Sequence, residues 1–503
     1  MLKDKNNQLS IYSILYNRIP KNHILKLISK AVNFSFIAKL LEKSYNKYYG
    51  RPAKDPEMMT KLLVLQYLYN LSDEKVIEEA SLNIAFMWFL GINPEEELPH
   101  PSLLSVFRVH RLQDVTLDEI IAEIVRQCVD KGIIKDTGIS IDATHTEANT
   151  FKATPERVMK RLAKKIFKTY EKESGELPED IDTDIPDYKE IKDHKEAKKV
   201  MKNYLEGKIE EIENIVNEGE NSKTIEILEN AKEILKDPKF IEQKGVRSII
   251  DQDARVGHKS RTEHFFGYKT EYVITTDERI ITAVTVADGA YVDGTKFEEL
   301  IDLTQQTGLD ITEVYGDKAY FRKPILNKIN GIKAKPYIPV SEMAYKIDEE
   351  RFSYNKDSDE WFCSQGNKTV KKRYVKRKCG KESYRYHFEK EKCKNCSKRK
   401  ECIASAKFKI LDIGINTNEF YEYNQEQKSP EFKEKYKNRS CQEWKNGEMK
   451  NFHGLDRARG YSLRSMSTQA KLTAIAVNLK RIAGILSSKS DSFLVIFKFE
   501  LIF

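Results

Sequence analysis

Apolar side chains recur at helical spacing through the first 135 residues of the chain. This spacing predicts amphipathic helices over Met58–Leu71, Asp73–Leu90 and Asp118–Val129. A shorter helix with a basic end is predicted to begin at Ser102, after a proline-containing break. Such a helix is typical of a helix-turn-helix unit that contacts DNA, but an ordinary bundle helix fits the pattern equally. Residues 1–135 are therefore predicted to form an all-helical N-terminal domain.

The pattern changes to strict alternation of apolar and polar residues at Gly138. Over 138–145 this alternation predicts a strand, with Asp142 on its polar face near its end. Two further strands, Phe265–Thr275 and Arg279–Ala287, are predicted to form a hairpin, and another is predicted over Asp310–Tyr315. Strands that alternate with helices predict an α/β core built on a mixed sheet with flanking helices.

Two long segments interrupt this predicted core. Residues 150–245 have the pattern of charged helices, and 151–245 contain 20 Lys/Arg against 23 Asp/Glu, which favours an exposed insertion that does not itself bind nucleic acid. Residues 336–430 are rich in tyrosine and lysine and contain a cysteine cluster. The predicted core consists of the remaining pieces, namely 136–149, 246–335 and 431–487. The last residues, 488–503, form an atypical apolar tail.

Charge is distributed unevenly along the chain. Between Gln365 and Ile403 there are 15 Lys/Arg against 4 Asp/Glu, an excess of 11 that exceeds the net charge of +8 of the whole chain. A concentrated basic strip is typical of proteins that bind a polyanion, and a solvated lysine-rich loop is the alternative. No apolar run reaches the roughly 18 residues of a membrane-spanning helix. Seven cysteines without a regular framework favour a reducing cytoplasm.

Three carboxylates are candidates for metal ligands. Asp142 and Asp317 both follow apolar strand residues, and Glu443 lies on a predicted late helix. Hard cations such as Mg²⁺ prefer oxygen ligands and keep positions open for substrate phosphates. Each aspartate has an alternative role as a turn former or a helix cap.

The predicted helix from about Phe432 to Phe452 presents an unusual face. Tyr436, Arg439, Glu443 and Lys450 fall within a stripe about 60° wide at roughly 100° per residue. Three residues off the stripe are predicted to bury the helix against the sheet: Cys441, Trp444 and Phe452. A solvated face held by salt bridges is the alternative explanation of the stripe.

The Tyr-x2-Arg-x3-Glu-x6-Lys pattern resembles the C-terminal signature of bacterial insertion-sequence transposases of the cut-and-paste DDE type. The segments around it, 446–450 and 453–460, also resemble that family, as do 140–144 and 315–320. The resemblance covers roughly residues 45–487. It implies an RNase H-like core interrupted by insertions, in which Asp142, Asp317 and Glu443 form the catalytic triad.

The resemblance also implies cofactors and partners. Two Mg²⁺ or Mn²⁺ ions, typically ~3.5–4 Å apart, would act in hydrolysis at the element ends and in strand transfer. Tyr436, Arg439 and Lys450 would contact double-stranded DNA, both the terminal inverted repeats and the target. A homodimer in a synaptic complex at the nucleoid is expected. A catalytically silent DNA-binding relative and a nuclease that cuts without joining remain the alternatives.

Two further groups of residues stand outside this pattern. Cys393, Cys396 and Cys402 supply three soft ligands for structural zinc, with Cys363 as the fourth, although free thiols fit equally. Two other residues compete for the fourth position, Cys379 and His387. The acidic pair Asp251 and Asp253 either supports the active site or caps a turn or helix.

Overall fold

The structure is a computed structural model that describes residues 13–46, 53–135, 137–150, 152–217, 219–237, 240, 246–260, 262–403 and 406–500, with side chains up to Ser488. The helices that precede and follow the first strand, up to the end of the first insertion, are α1 (Ser13–Tyr16), α2 (Ile24–Ala31), α3 (Phe36–Leu41), α4 (Pro56–Leu68), α5 (Asp73–Leu82), α6 (Ile84–Leu90), α7 (Ser102–His110), α8 (Asp114–Asp130), α9 (Pro155–Ser174), α10 (His194–Glu213) and α11 (Ser222–Lys236). The later helices are α12 (Phe297–Gln306), α13 (Lys323–Gly331), α14 (Lys390–Lys394), α15 (Arg399–Ile403), α16 (Thr417–Glu426), α17 (Pro430–Tyr436), α18 (Cys441–His453) and α19 (Leu463–Glu500).

The strands are β1 (Gly138–Glu147), β2 (Arg255–His258), β3 (His264–Thr275), β4 (Ile281–Asp288), β5 (Glu313–Tyr315), β6 (Lys335–Tyr337), β7 (Phe352–Asn355), β8 (Glu360–Cys363), β9 (Thr369–Lys376), β10 (Glu382–Phe388) and β11 (Ile410–Gly414). The predicted hairpin is confirmed, since β3 and β4 pair antiparallel. The strand predicted over Asp310–Tyr315 is shorter, because β5 pairs with β1 only from Gly138 onward.

The helices predicted near the N-terminus are confirmed, with one correction. The continuous helix predicted over Asp73–Leu90 is wrong, because α5 and α6 are separated at Asn83. Asn83 has an extended backbone, and its side chain accepts hydrogen bonds from the N–H groups of Ala85 and Phe86. This is N-cap geometry, which begins a new helix rather than continuing the old one.

The main sheet has the order β4–β3–β1–β5–β6, and β2 pairs with the first half of β3. β1 is parallel to β5 and β5 is parallel to β6, whereas β3 is antiparallel to both β1 and β4. Ile139 and Ile141 pack with α12 and α13 on one face of the sheet, and Tyr272 and Ile274 pack with α19 on the other. The sheet is therefore buried on both faces, which explains its almost continuous apolar strands.

Both insertions contain hydrophobic clusters of their own. Helices α9, α10 and α11 enclose one cluster, which includes Leu162, Met201 and Leu228. The second insertion contains the hairpin β7–β8 and the three-stranded sheet β9–β10–β11, and the buried Trp361 lies at its centre. Each insertion therefore packs mainly against itself rather than extending the main sheet.

The last helix is longer than the sequence predicts. A helical end near Leu486 was expected, followed by an atypical tail from 488, but α19 continues to Glu500. Residues 501–503 of that tail lie outside the described part of the chain. None of the helices within the described residues is long and apolar enough to cross a membrane.

The side chain of Asn478 bonds α19 to β4 at the edge of the sheet. The Asn478 carboxamide accepts a hydrogen bond from the Ile281 N–H at 2.7 Å and donates one to the Ile281 carbonyl at 2.7 Å. Both residues are buried. Because β4 is an edge strand, this side chain supplies the pair of bonds that a neighbouring strand would supply.

Replacing Asn478 by Ala leaves the buried N–H and C=O of Ile281 without partners. We expect the free energy of unfolding to fall by about 2–4 kcal/mol, since each unsatisfied buried polar group costs about 1–3 kcal/mol. Urea denaturation measures the loss. Asn330→Ala, at an exposed position on α13, is the control and should change stability by less than about 0.5 kcal/mol. Equal effects of the two substitutions would contradict this account of the edge.

Candidate active site

Two of the three predicted carboxylates lie at the same edge of the sheet. Ser140 of β1 is paired in register with Tyr315 of β5. Asp142 and Asp317 each follow two residues after these partners. Because the two strands are parallel, both aspartates leave the paired region at its carboxyl end. This is the position at which open α/β sheets bind their ligands.

Asp142 does not lie near the end of its strand, as the sequence suggested, because β1 continues to Glu147. Its position depends instead on where the pairing with β5 ends. Burial raises the pKa of the Asp142 carboxyl to about 6, the Arg439 guanidinium opposes this effect, and the negative charges of Asp317 and Asp293 add to it. Arg439 Nη2 lies 3.5 Å from Asp142 Oδ2. Arg439 therefore offsets the effect of burial on Asp142 only in part.

Asp317 has the alternative role of a cap. Its side chain accepts a hydrogen bond from the Ala319 N–H at 2.8 Å and so caps the 3₁₀ helix Lys318–Tyr320. The second carboxylate oxygen makes none of the described hydrogen bonds. The cap fixes the carboxylate at the strand end, which is compatible with a role in the site.

Sequence reasoning missed a buried carboxylate beside Asp142. Glu271 of β3 is paired with Ala143 and accepts hydrogen bonds from the hydroxyls of Tyr291 and Tyr320, both at 2.7 Å, and from the Gly294 N–H at 2.6 Å. Burial raises the pKa of Glu271, and these three bonds oppose the effect. The only signal in the sequence was an acidic residue at an otherwise apolar strand position. Its three donors make Glu271 a positioning group for the loop around Gly294.

The late helix that carries the predicted stripe is not continuous. Tyr436 ends α17, Arg439 lies in a 3₁₀ helix over Lys437–Ser440, and Glu443 and Lys450 lie on α18. The assumption of 100° per residue across the whole stripe was therefore wrong. The 3₁₀ segment directs Arg439 toward Asp142.

Polar contacts hold α18 against the sheet. Gln442 Nε2 donates to the Ser140 carbonyl at 2.7 Å, and the Tyr272 hydroxyl donates to Asn446 Oδ1 at 2.7 Å. Tyr272 is the register partner of Asp142. Glu443 follows Gln442 directly and is exposed.

The residues that were predicted to bury this helix do so only in part. Cys441 is buried, but Trp444 is 71% exposed and Phe452 is 64% exposed. The buried face instead contains Gln442 and Lys445. The Arg279 guanidinium lies 5.9 Å from the centre of the Trp444 ring. Because polar side chains hold α18 against the sheet, the aromatic side chains of Trp444 and Phe452 lie on its exposed side.

The remaining members of the stripe, Tyr436 and Lys450, have different surroundings. The Tyr436 ring stacks on Phe432 at 5.9 Å, and burial raises the pKa of its hydroxyl, with the charges of Asp317 and Asp142 adding to the effect. Lys450 Nζ lies 3.4 Å from both ring nitrogens of His145. Burial and the nearby Lys259 lower the pKa of Lys450 to about 8.

No three carboxylate, histidine or cysteine side chains within the described residues are close enough together to hold a metal ion. Glu443 therefore does not complete a metal-binding group with the two aspartates. The four cysteines chosen for zinc, Cys363, Cys393, Cys396 and Cys402, line one cavity of about 540 Å³ without forming such a group. The competing residues Cys379 and His387 do not line that cavity.

Two other groups of candidate residues prove to have structural contacts. Asp251 accepts a hydrogen bond from the Ser462 N–H at 3.2 Å, and Asp253 accepts one from the Leu463 N–H at 2.8 Å. The acidic pair therefore caps α19, as one of its two interpretations predicted. Arg108 at the basic end of α7 forms an ion pair with Asp73. That arginine is thus engaged within the N-terminal helices.

Two family models match the chain. One, described as a transposase domain (DUF772), matches residues 13–110, and the other, described as a transposase DDE domain, matches residues 362–483. The second segment contains Glu443, whereas Asp142 and Asp317 lie outside both segments. Searches among curated proteins and among solved structures gave no match. Together the two domain matches support an insertion-sequence transposase of the DDE type, and the DDE domain indicates an enzyme of metal-dependent DNA cleavage and strand transfer.

Proposed function

We propose that Asp142, Asp317 and Glu443 are the catalytic triad of this transposase. The observation that carries the proposal is the register of β1 and β5, which brings Asp142 and Asp317 to one edge of the sheet. Burial disfavours the ionised form of Asp142 and raises its pKa, and the neighbouring Arg439 does not fully offset this effect. A divalent cation would add positive charge there.

The separation of Glu443 from the aspartates is compatible with this role. Mg²⁺ is commonly held by one or two carboxylates together with substrate phosphates, so the protein need not provide a complete cage. When bound, two such ions polarise the scissile phosphate and stabilise the attacking and leaving oxygens. Asp142 and Asp317 are held in place by β1 and by the capped turn after β5. Glu443 is exposed on α18 and is accessible to DNA and to ions that arrive with it.

The two cations and the tyrosine hydroxyl of the stripe are of the kinds that bind DNA phosphates. Arg439 balances Asp142, and the Tyr436 hydroxyl lies close to both aspartates. Lys450 lies beside His145, at the distal end of β1 from Ser140. In the proposed complex, Arg439 and Lys450 contact phosphates on either side of the cleavage point, and Tyr436 orients the strand.

The sheet supports an RNase H-like core. Its order β4–β3–β1–β5–β6, with a single antiparallel hairpin followed by parallel strands, places the carboxylate strands at the centre. In this proposal the core comprises 136–149, 246–335 and 431–487. The helices of 1–135 bind the element ends, the basic Cys-containing insertion over 336–430 adds phosphate contacts, and 150–245 is the helical insertion.

The proposed reaction begins with water, which attacks phosphorus at the element end and releases a 3′-hydroxyl. That hydroxyl then attacks a phosphodiester of the target duplex, and the broken target bond balances the bond that forms. We propose that a homodimer holds two inverted-repeat ends in a synaptic complex at the cytoplasmic nucleoid. No covalent bond between protein and DNA is required.

We further propose that Cys363, Cys393, Cys396 and Cys402 bind a structural Zn²⁺. Support comes from the single cavity that the four side chains line, and from the exclusion of Cys379 and His387 from its lining. Asn367 Nδ2 lies 3.1 Å from Cys393 Sγ, so a polar group already faces this sulfur. Zinc binding requires the thiolates to turn into the cavity that they share.

The triad is tested by cleavage of a labelled duplex that carries the element's own end, with Mg²⁺ or Mn²⁺. We expect Glu443→Gln to lower metal-dependent cleavage and strand transfer by about 100-fold or more, the scale of losing one group that stabilises transition-state charge. DNA binding should persist. Glu434→Gln, at an exposed position on α17, is the control and should remain active.

The outcomes separate the alternative functions. Binding without cleavage by the wild type would indicate a catalytically silent relative. Cleavage without joining of a pre-cut end would indicate a nuclease. Full activity of Glu443→Gln would show that another group is the third carboxylate.

Lys450 predicts a pH dependence of DNA affinity. Its pKa of about 8 means that the charge is present below pH 8 and is lost as the pH rises through that value. If a bound phosphate restores a normal lysine pKa, affinity should fall about tenfold between pH 7 and pH 9. Fluorescence anisotropy measures this fall, and Lys450→Arg, which stays charged, should lack it. The same pH profile in both proteins would contradict a phosphate contact by Lys450.

Zinc binding is tested by elemental analysis of the purified protein. We expect one Zn²⁺ per chain in the wild type, loss of that ion in Cys396→Ser, and its retention in Cys379→Ser. Cobalt substitution should produce thiolate-to-metal absorption only in the proteins that retain the site. A metal-free wild type in which these thiols all react with a thiol reagent would overturn the zinc proposal.

A further inference from the structure

The helical insertion has a nearly neutral composition, but the structure separates its charges. Helix α9 contains seven Lys/Arg and three Asp/Glu, and the 14 residues between Glu156 and Glu171 include six cations and no carboxylate. The rest of 151–245 contains 13 Lys/Arg against 20 Asp/Glu. The composition of the whole segment therefore conceals one strongly basic helix.

The cations of α9 form a single surface. The ridge, as we call it, consists of the exposed residues Arg157, Arg161, Lys164, Lys165, Lys168 and Lys172. At 100° per residue they fall within an arc of about 100°, and they extend about 22 Å along the helix axis. The opposite face is apolar and buried against α10 and α11, as Leu162 and Ile166 show. Packing thus directs all of this charge toward solvent.

The three lysines at the centre of the ridge are not paired with carboxylates of the described residues. Lys164, Lys165 and Lys168 form no ion pair with any residue that the structure describes. Elsewhere in the same insertion lysines are paired, for example Lys202 with Glu206 at 3.5 Å and Lys208 with Glu211 at 2.8 Å. A face that is merely solvated usually alternates in sign. Like charges at helical spacing repel one another, which destabilises the helix. Binding of a polyanion to these cations would offset that repulsion.

The ridge lies close in sequence and in space to the strand of Asp142. Helix α9 begins eight residues after β1 ends. At its base, Arg161 and Lys165 line a cleft of about 290 Å³ together with Arg247. The hydroxyls of Thr150 and Ser248, 2.7 Å apart, lie in the same cleft. Cations and hydroxyls in one concave site are suited to a phosphate group.

We propose that the α9 ridge binds the sugar-phosphate backbone of duplex DNA. Over about 22 Å it can follow several consecutive phosphates, because duplex DNA has one negative charge per roughly 1.7 Å of axis. The contact is independent of base sequence. The inference reverses the expectation that this insertion avoids nucleic acid. The inference rests on the proposed function only because it takes DNA as the substrate. It does not depend on any catalytic residue.

The test compares two triple variants of the full-length protein with the same change in charge. Lys164→Gln, Lys165→Gln and Lys168→Gln remove the centre of the ridge. Lys195→Gln, Lys199→Gln and Lys223→Gln remove three exposed lysines from α10 and α11. Duplex affinity is measured by anisotropy over a series of salt concentrations, and circular dichroism checks that both variants fold.

We expect the ridge variant to reduce the slope of log affinity against log salt concentration by about 2–3, because each phosphate contact contributes roughly 0.9. Its affinity at low salt should fall at least about tenfold relative to the control, whose slope should match the wild type. Equal slopes in the two variants would overturn the proposal. Since Glu443→Gln is expected to abolish cleavage without changing this slope, failure of the ridge and failure of the triad are distinguishable.

Discussion

The parallel pairing of β1 with β5 is the constraint on which the active site depends. It covers only three residues on each strand, ending at Ser140 and Tyr315. β1 then continues to Glu147 while β5 ends at Tyr315, and Asp142 and Asp317 follow two residues after the last paired positions. The buried sheet holds this register, because Ile139 and Ile141 pack against α12 and α13 on one face. A shift of one residue would turn Asp142 toward those helices.

The same geometry creates an electrostatic cost. Arg439 lies 3.5 Å from Asp142, yet the pKa of Asp142 is raised to about 6, first by burial and further by the charges of Asp317 and Asp293. Such repulsion disfavours the fully ionised site. A bound divalent cation relieves it, as few other ligands can. The α9 ridge and the second insertion are both basic, and in the proposed complex they would attract the phosphates that arrive with the ion.

Local pattern predicted more of the fold than of the site. The alternation of β3 and β4 and the helical spacing of α4 and α8 were sufficient to predict those elements. The aspartates were predicted because each follows apolar strand residues and because the segments around them resemble the transposase family. The buried Glu271 and the exposed Trp444 were not predicted, since their environment depends on residues distant in sequence. The basic face of α9 was missed because charge was summed over the insertion rather than by helix face.

Calorimetric titration with Mn²⁺ tests the central claim most directly, since it requires no DNA. Wild type should bind the ion, and Asp142→Asn and Asp317→Asn should each weaken binding about tenfold or more. Asp310→Asn, at an exposed position just before β5, is the matched control and should bind as the wild type does. Unchanged Mn²⁺ affinity in both core variants would contradict the claim that the β1–β5 register builds a metal site.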